Sequence, residues 1–400
     1  MHTSPQKATH QQTRAHNSQL VLKTIFDHGH TSRAEVARLT GLTRTTVSEL
    51  VNELLTTGLI EESGRGPSVG GKSPIMLRMV DDARHVIGID FAATFVRGAI
   101  VNLRGEIFYA LDLPVRGSGG EQALNLVYEM IDALITATDR PLLGIGIGAP
   151  GLIDTPNGIV RQAVNLEWRN LRLGSLLQDR YHLPVYLAND SQAAAMAEYT
   201  FGGHADCDNI VAIKVGRGIG AGIVLKGQLF QGDGYGAGEI GHVVIIDDGE
   251  ACRCGNAGCV ETVANSLAIV RRAQELAMEL PHSRLHQLSP EQFTLQAVLE
   301  AFHAGDEAAR QSVQEAGHYL GVAVANLIGA LNIHHIMLVG SLTRFGQPWL
   351  DAIRQEVSKR AFVPLAKETH IEISILDQNV VILGASALLI TRELGLNLAR

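Results

Sequence analysis

Three of the chain's four cysteines fall within eight positions, in the stretch EIGHVVIIDDGEACRCGNAGCVE, residues 239–261. His242, Cys252, Cys254 and Cys259 form the pattern H-x9-C-x-C-x4-C. One imidazole and three thiolates fill a tetrahedral zinc site, a structural arrangement that leaves no open position for catalysis. The intervening DDGEA and GNAG are turn-rich, so the backbone can wrap around an ion. A redox-sensing thiol cluster or a disulfide is the alternative for the same spacing, and a reducing interior disfavours it. One nitrogen of His242 can bind the metal while the other donates to a ligand oxygen. With Glu239 and Glu261 at its edges, the loop can hold an imidazole and two carboxylates around one small hydroxyl-rich molecule. Aldose hydroxyls need such paired donors and acceptors. Cys207 stands apart and reads as an ordinary thiol.

A loop of this kind needs a body to carry it. The chain has 400 residues, 46% of them hydrophobic, with mean hydropathy +0.11. That is enough for two or three domains with substantial cores. No apolar run reaches the roughly 18 residues of a spanning helix. The first residues, MHTSPQKATHQQTRAHNSQ, lack the apolar block of a signal peptide, so a soluble cytoplasmic protein is expected. The net charge is −8 but unevenly spread. Residues 1–78 carry nine Lys/Arg against six Asp/Glu; the remainder carries 24 against 35. A mildly basic head on an acidic body fits a DNA reader joined to something else.

The head supplies stronger signals. Leu20, Val21, Leu22, Ile25 and Phe26 predict a first helix. Ser32-Arg33-Ala34-Glu35 reads as a capping box for a short helix through Leu39, which Gly41 breaks. Thr43 can cap a third helix, with Val47, Leu50, Val51, Leu54 and Leu55 at helical spacing. Its opposite face carries Arg44, Thr45, Ser48, Glu49 and Asn52, small and cationic groups suited to a major groove. After Gly58, LIEESGRGPSVGGKSPIMLRM reads as strand, loop and returning strand. Arg65 and Lys72 there form the cations of a wing. The order predicts a winged helix-turn-helix over residues 1–82 whose DNA contacts are Arg44, Thr45, Ser48, Asn52, Arg65 and Lys72. The alternative is a three-helix module for protein interaction or dimerisation.

From residue 83, HVIGIDFAATFVRGAIVNLRGEIFYALDL reads as three strands, followed by a helix from Glu121 to about Thr138 and the buried strand LLGIGIGAPG. NIVAIKVGRGIGAGIVLKGQLFQG repeats the paired-strand pattern around a Gly-rich turn. Two such halves predict a duplicated α/β architecture with a ligand cleft between them.

The ordered motifs GIDFAAT, GIGAPG, LANDSQAAAMAE, VGRGIGAG, GAGEIGH, CRCGNAGCVE and LNIHHIMLVGSL resemble the ROK family along nearly the whole chain. That family comprises sugar-responsive repressors and sugar kinases on a two-lobed actin-like, ribonuclease-H-like fold. The winged head resembles the repressor branch, particularly xylose-repressor-like members. The resemblance implies lobe 1 over 83–200, completed by 380–400, and lobe 2 over 201–379. It implies zinc on His242, Cys252, Cys254 and Cys259. It also implies sugar contacts from Asn189, Asp190, Glu239, His242 and Glu261.

A kinase of the family needs a base and two phosphate turns. Asp190 matches the base. The first turn, D-x-G-G-T-K in kinases, is here Asp90-Phe91-Ala92-Ala93-Thr94-Phe95. Both glycines have gained a Cβ where phosphate must approach backbone, and the lysine has become Phe95. The second turn, G-T-G in kinases, is Gly216-Arg217-Gly218, with Arg217 placed to occupy the phosphate region and pair with Asp190 or Asp90. Near residue 339, G-G-G is replaced by Val339-Gly340-Ser341. The expectation is sugar binding without phosphoryl transfer, Asp190 surviving as an acceptor. Asn165 and Trp168 can approach the cleft, Trp168 as a stacking face or as a structural residue. The whole reads as a sugar-responsive repressor with operator DNA and an aldose, xylose or glucose-like, as partners, acting as a homodimer or homotetramer. The competing readings are an ATP-dependent sugar kinase with a fused regulatory head, and a repressor controlled by a protein.

Overall fold

The computed structural model of the chain describes residues 10–67, 73–92, 94–115, 117, 119–204 and 207–396. Lys72 and Ala93 lie outside the described residues. The head runs α1 (His10–His28), β1 (Thr31–Ser32), α2 (Arg33–Thr40), α3 (Arg44–Thr56), β2 (Ile60–Arg65) and β3 (Ile75–Met79). Side-chain caps set its helix starts: Ser32 Oγ accepts the Glu35 N–H at 3.3 Å, and Thr43 Oγ1 accepts that of Thr46 at 3.2 Å. Only this half of the Ser32 capping box is seen, because the Glu35 carboxylate accepts from Arg38 Nε at 3.0 Å. Val47, Leu50, Val51 and Leu54 are buried on one side of α3, the i, i+3, i+4, i+7 stripe of an amphipathic helix. β2 and β3 pair antiparallel as the wing.

Lobe 1 begins with β4 (His85–Phe91), β5 (Phe95–Val101) and β6 (Ile107–Pro114), then α4 (Gly120–Thr136) and β7 (Leu142–Ala149). A small flap follows, β8 (Leu152–Asp154), β9 (Ile159–Ala163) and β10 (Trp168–Leu171), and then α5 (Leu173–Tyr181), β11 (Val185–Asn189) and α6 (Asp190–Phe201). Lobe 2 contains β12 (Ile210–Val215), β13 (Ile219–Leu225), β14 (Gln228–Phe230), α7 (Val260–Ala264), α8 (Ser266–Glu279), α9 (Leu295–His303), α10 (Glu307–Leu331) and β15 (His335–Val339). It ends with α11 (Gln347–Arg360), α12 (Val363–Glu368) and β16 (His370–Ile373), before α13 (Val380–Leu394) returns to lobe 1.

The two large sheets repeat one topology, β11-β7-β4-β5-β6 and β14-β13-β12-β15-β16. Each is an antiparallel meander extended by two parallel strands. This is the duplicated, two-lobed actin-like architecture. β4 is buried at every position, as a central strand covered on both faces requires, which is why HVIGIDF is nearly continuous in apolar residues. α6 and α13 form the seam between the lobes. A Cβ at Gly384 would lie 1.7 Å from the Ala193 carbonyl oxygen, so the two helix backbones touch only because that position is glycine.

The head is welded to lobe 1. Val21, Leu22, Ile25 and Phe26 of α1 share one buried core with Val86, Leu103, Leu389 and Ile390. Arg104 stacks over the Phe26 ring, 3.6 Å to the centroid, and pairs with Asp81 at 3.0 Å. Apolar burial and a cation–π contact therefore tie the N-terminal head to lobe 1. No helix among the described residues is long and apolar enough to cross a membrane.

Candidate functional site

The cysteine loop closes on itself through short bridges, Val244 with Cys259 and Ala251 with Ala257. Its arms meet at Gly258, φ +74°, where a Cβ would fall 1.8 Å from the Ile246 carbonyl oxygen. The ligand atoms of His242, Cys252, Cys254 and Cys259 all lie within 4.8 Å of one another. His242 Nδ1 stands 3.5 Å from Cys252 Sγ, and Cys254 Sγ stands 3.7 Å from Cys259 Sγ. Metal bonds of about 2.3 Å to sulfur and about 2.0–2.1 Å to nitrogen give tetrahedron edges of about 3.8 Å (S–S) and about 3.6 Å (N–S). The four donors thus fit a tetrahedral cation, and the sulfurs are too far apart for a disulfide of about 2.05 Å. Cys259 is buried, and burial with the neighbouring sulfurs pushes its thiol up to about 12. The Asn256 backbone N–H draws Cys254 below the ordinary thiol range. A dication would stabilise all three as thiolates.

With Nδ1 facing the sulfurs, His242 turns Nε2 toward the cleft, 3.9 Å from Glu239 Oε2. Burial raises the Glu239 carboxyl above its usual range, against the pull of His242. Glu261, in the first turn of α7, accepts the Ile219 N–H at 2.9 Å through Oε2. The cysteine loop and the turn between β12 and β13 are therefore braced together by one carboxylate.

Asn189 and Asp190 stand where β11 becomes α6. Asn189 is spent mainly on the cap: Oδ1 accepts from the Ser191 and Gln192 N–H groups (2.9 and 3.2 Å), and Nδ2 donates to the Gly151 carbonyl at 2.9 Å. One amide hydrogen is left to offer a ligand. Asp190 Oδ1 accepts the Ser191 N–H at 2.8 Å, and Oδ2 accepts from Lys214 Nζ at 2.8 Å. The partner expected from sequence was Arg217. It is exposed on the turn, where its carbonyl accepts from Asn265 at 2.9 Å; the shorter-range cation from β12 takes the place instead.

Asn189, Asp190, Glu239, His242 and Glu261 line one cleft of about 590 Å³, with Lys214 and Arg217. Arg253, between Cys252 and Cys254, reaches across to lobe 1 and donates to Asn165 Oδ1 at 2.9 Å. Trp168 does not offer a stacking face. It is buried, donates to the Gly120 carbonyl at 2.8 Å and packs edge-on against Phe91.

On the phosphate side of a kinase, Phe95 lies with its ring 5.1 Å from the Arg97 guanidinium, and Arg97 is itself held by Asp112 at 2.6 Å. Asp90 is buried, its Oδ1 without a hydrogen-bond partner. Burial pushes its carboxyl up to about 6, opposed by Lys214. Because its folded value exceeds its unfolded one, Asp90 favours the folded state most at low pH and loses that contribution as pH rises through about 6. Asp90→Asn is accordingly expected to stabilise the protein by roughly 2–3 kcal/mol above about pH 7, with the gain vanishing below about pH 4. Denaturant melts across that pH range measure it.

In the head, Arg44, Thr45 and Asn52 are exposed on α3 and Ser48 is half-buried beside them. Arg33, not singled out by sequence, braces this surface, donating to Asn52 Oδ1 at 3.3 Å and to Glu62 at 3.0 Å. Arg65 is exposed at the end of β2.

The profile of the ROK family matches residues 86–392, and that of winged helix-turn-helix DNA-binding domains matches residues 15–61. A xylose repressor of Caldicellulosiruptor bescii is 32% identical over 384 residues, covering 95% of this chain and 96% of that one. A glucokinase of Halalkalibacterium halodurans is 33% identical over 317 residues, covering 78% of this chain and 96% of its own. The crystal structure of a ROK family transcriptional regulator, a homologue of the Escherichia coli MLC protein, superposes with TM-score 0.84 at 28% identity, covering 97% of this chain and 98% of that one.

Proposed function

The chain belongs to the ROK family, and from that premise we propose that it is a sugar-responsive transcriptional repressor of carbohydrate-utilisation genes. The observation that carries the reading is the shared core between α1 of the DNA head and lobe 1. A kinase has no use for a DNA reader bolted to one wall of its sugar cleft. The effector is an aldose, xylose or a glucose-like sugar, held by Asp190, Glu239, His242 and Glu261, with Asn189 positioning the base of α6. Sugar joins groups from both lobes, the lobes close, and the heads of a homodimer or homotetramer change their spacing on the operator. Such coupling requires the sugar to bind the two states unequally. The protein acts in the cytoplasm.

Zinc on His242, Cys252, Cys254 and Cys259 supplies a rigid anchor and no catalytic step. Nδ1 on the metal leaves the His242 Nε2–H to donate to a sugar oxygen beside the two glutamates. Phosphoryl transfer is absent, because Ala92 and Phe95 replace a glycine and a lysine of the kinase phosphate turn.

Gel shift with a sugar titration tests the reading; operator binding unchanged by every common aldose at saturating concentration refutes it. In the same assay Arg44→Ala is expected to weaken operator binding about tenfold or more. Its sugar affinity, read by calorimetry, stays at the wild-type value. A sugar kinase is the second reading, favoured by the retained Asp190 and by the glucokinase relative. ADP release dependent on glucose or xylose, and abolished in Asp190→Asn, would establish it.

A further inference from the structure

Lys214 is a cation in an otherwise apolar strand: its neighbours Val211, Ala212, Ile213 and Val215 are all buried. Even a partly buried ammonium group, like that of Lys214 with 23% of its side chain exposed, is unfavourable unless it is paired. Here it has two carboxylates to answer, both carried by lobe 1 across from its own strand in lobe 2. Asp190 of α6 receives its Nζ at 2.8 Å. Asp90 of β4 is buried without a hydrogen-bond partner for Oδ1, and it feels Lys214 as its largest opposite charge. The Lys214 ammonium is held above its ordinary range by Asp190 and Asp90, against burial.

We propose that Lys214 is the built-in counter-ion of the cleft, a positioning residue that fixes Asp190 as a permanent acceptor for a sugar hydroxyl and presents a donor beside it. Both Asp190 oxygens are engaged, Oδ1 by the Ser191 N–H and Oδ2 by Lys214. A carboxylate held on both sides is a rigid acceptor. An ammonium has three protons, and Lys214 also lines the cleft, so it has donors to spare for the ligand. An acceptor and a donor side by side match two adjacent sugar hydroxyls. The site thus recognises a vicinal diol where a kinase would activate a single hydroxyl. This inference rests on reading the cleft as a sugar site.

The charged groups around the pair come from several elements. Asp90 on β4 is backed by Arg97 on β5 and Asp112 on β6. Glu239, with His242 and Glu261 near it, faces Asp190 from the metal loop. None of these contacts the Lys214 ammonium as closely as Asp190 does among the described ion pairs.

Three full-length variants test the assignment: Lys214→Met, Lys214→Arg, and Lys214→Met combined with Asp90→Asn, which removes the second buried carboxylate should the first variant fold poorly. D-xylose and D-glucose binding are measured by calorimetry, and melting temperature is followed from about pH 8 to about pH 5. Lys214→Met is expected to bind the sugar about tenfold more weakly or worse, with Lys214→Arg recovering most of the affinity. The melting-temperature gap between Lys214→Met and the wild type is expected to narrow as pH falls, because Asp90 takes up a proton in place of the lost cation. Compared with Asp90→Asn alone, the double variant shows the weak sugar binding without that pH-dependent gap. Wild-type sugar affinity in Lys214→Met, or a gap that does not change with pH, overturns the proposal. A wild-type protein that binds neither sugar overturns the sugar reading itself, and the pH arm then reports on the counter-ion alone.

Discussion

Cys254→Ser is expected to lower zinc content from one ion per chain to a small fraction of that, and to remove the sugar response with it. Cys254 is exposed, so the substitution leaves the lobe cores untouched and the loss falls on the loop. Zinc sites of this donor type contribute about 10–16 kcal/mol to zinc-finger folding at neutral pH, so a site missing one thiolate loses a large share of its affinity. What the loop loses is position. His242 no longer has its Nδ1 side pinned, and Glu239, three residues earlier, loses its neighbour 3.9 Å away. Elemental analysis and sugar calorimetry on the same sample measure both effects, and circular dichroism checks that the fold persists. Full zinc occupancy in Cys254→Ser would show that this cysteine is not a ligand. Because the ligands must be deprotonated to bind, zinc is also expected to leave as pH is lowered.

Glu261→Gln is expected to weaken sugar binding by about 10–100-fold, the loss of a charged hydrogen-bond acceptor. Glutamine retains an oxygen for the Ile219 N–H that Glu261 now accepts at 2.9 Å, so the brace to the β12–β13 turn survives. Operator affinity without sugar should equal that of the wild type. The variant would then repress permanently, needing far more sugar for release. Calorimetry and operator anisotropy, run in parallel, separate a lost sugar contact from a lost fold.

The His/Cys cluster could be read from sequence because its signal is local: four candidate donors within 18 positions, separated by turn residues, come together within one loop. The head was equally readable, since Ser32 and Thr43 cap their helices through contacts three residues away. What sequence misread or left open came from contacts that cross the chain. Asp190 meets Lys214 because α6 packs on β12, and the turn residue Arg217 looked the better partner only by its place in a motif. A lysine inside the apolar run IVAIKV was the available signal. Trp168 turned inward because Phe91, 77 positions earlier, offered it an edge-on partner. The weld of Phe26 to Arg104, and of α1 to α13 at the far end of the chain, has no sequence pattern at all. It is the contact on which the proposed signal depends.

Operator affinity in the presence and absence of sugar tests that signal most directly. With an operator fragment selected by the protein from random-sequence DNA, fluorescence anisotropy is recorded without sugar and with saturating D-xylose or D-glucose. The account predicts that one of them weakens binding by about 5–150-fold, the usual range of coupling between two sites. Operator affinity that stays the same while calorimetry shows the cleft filled with sugar would contradict it.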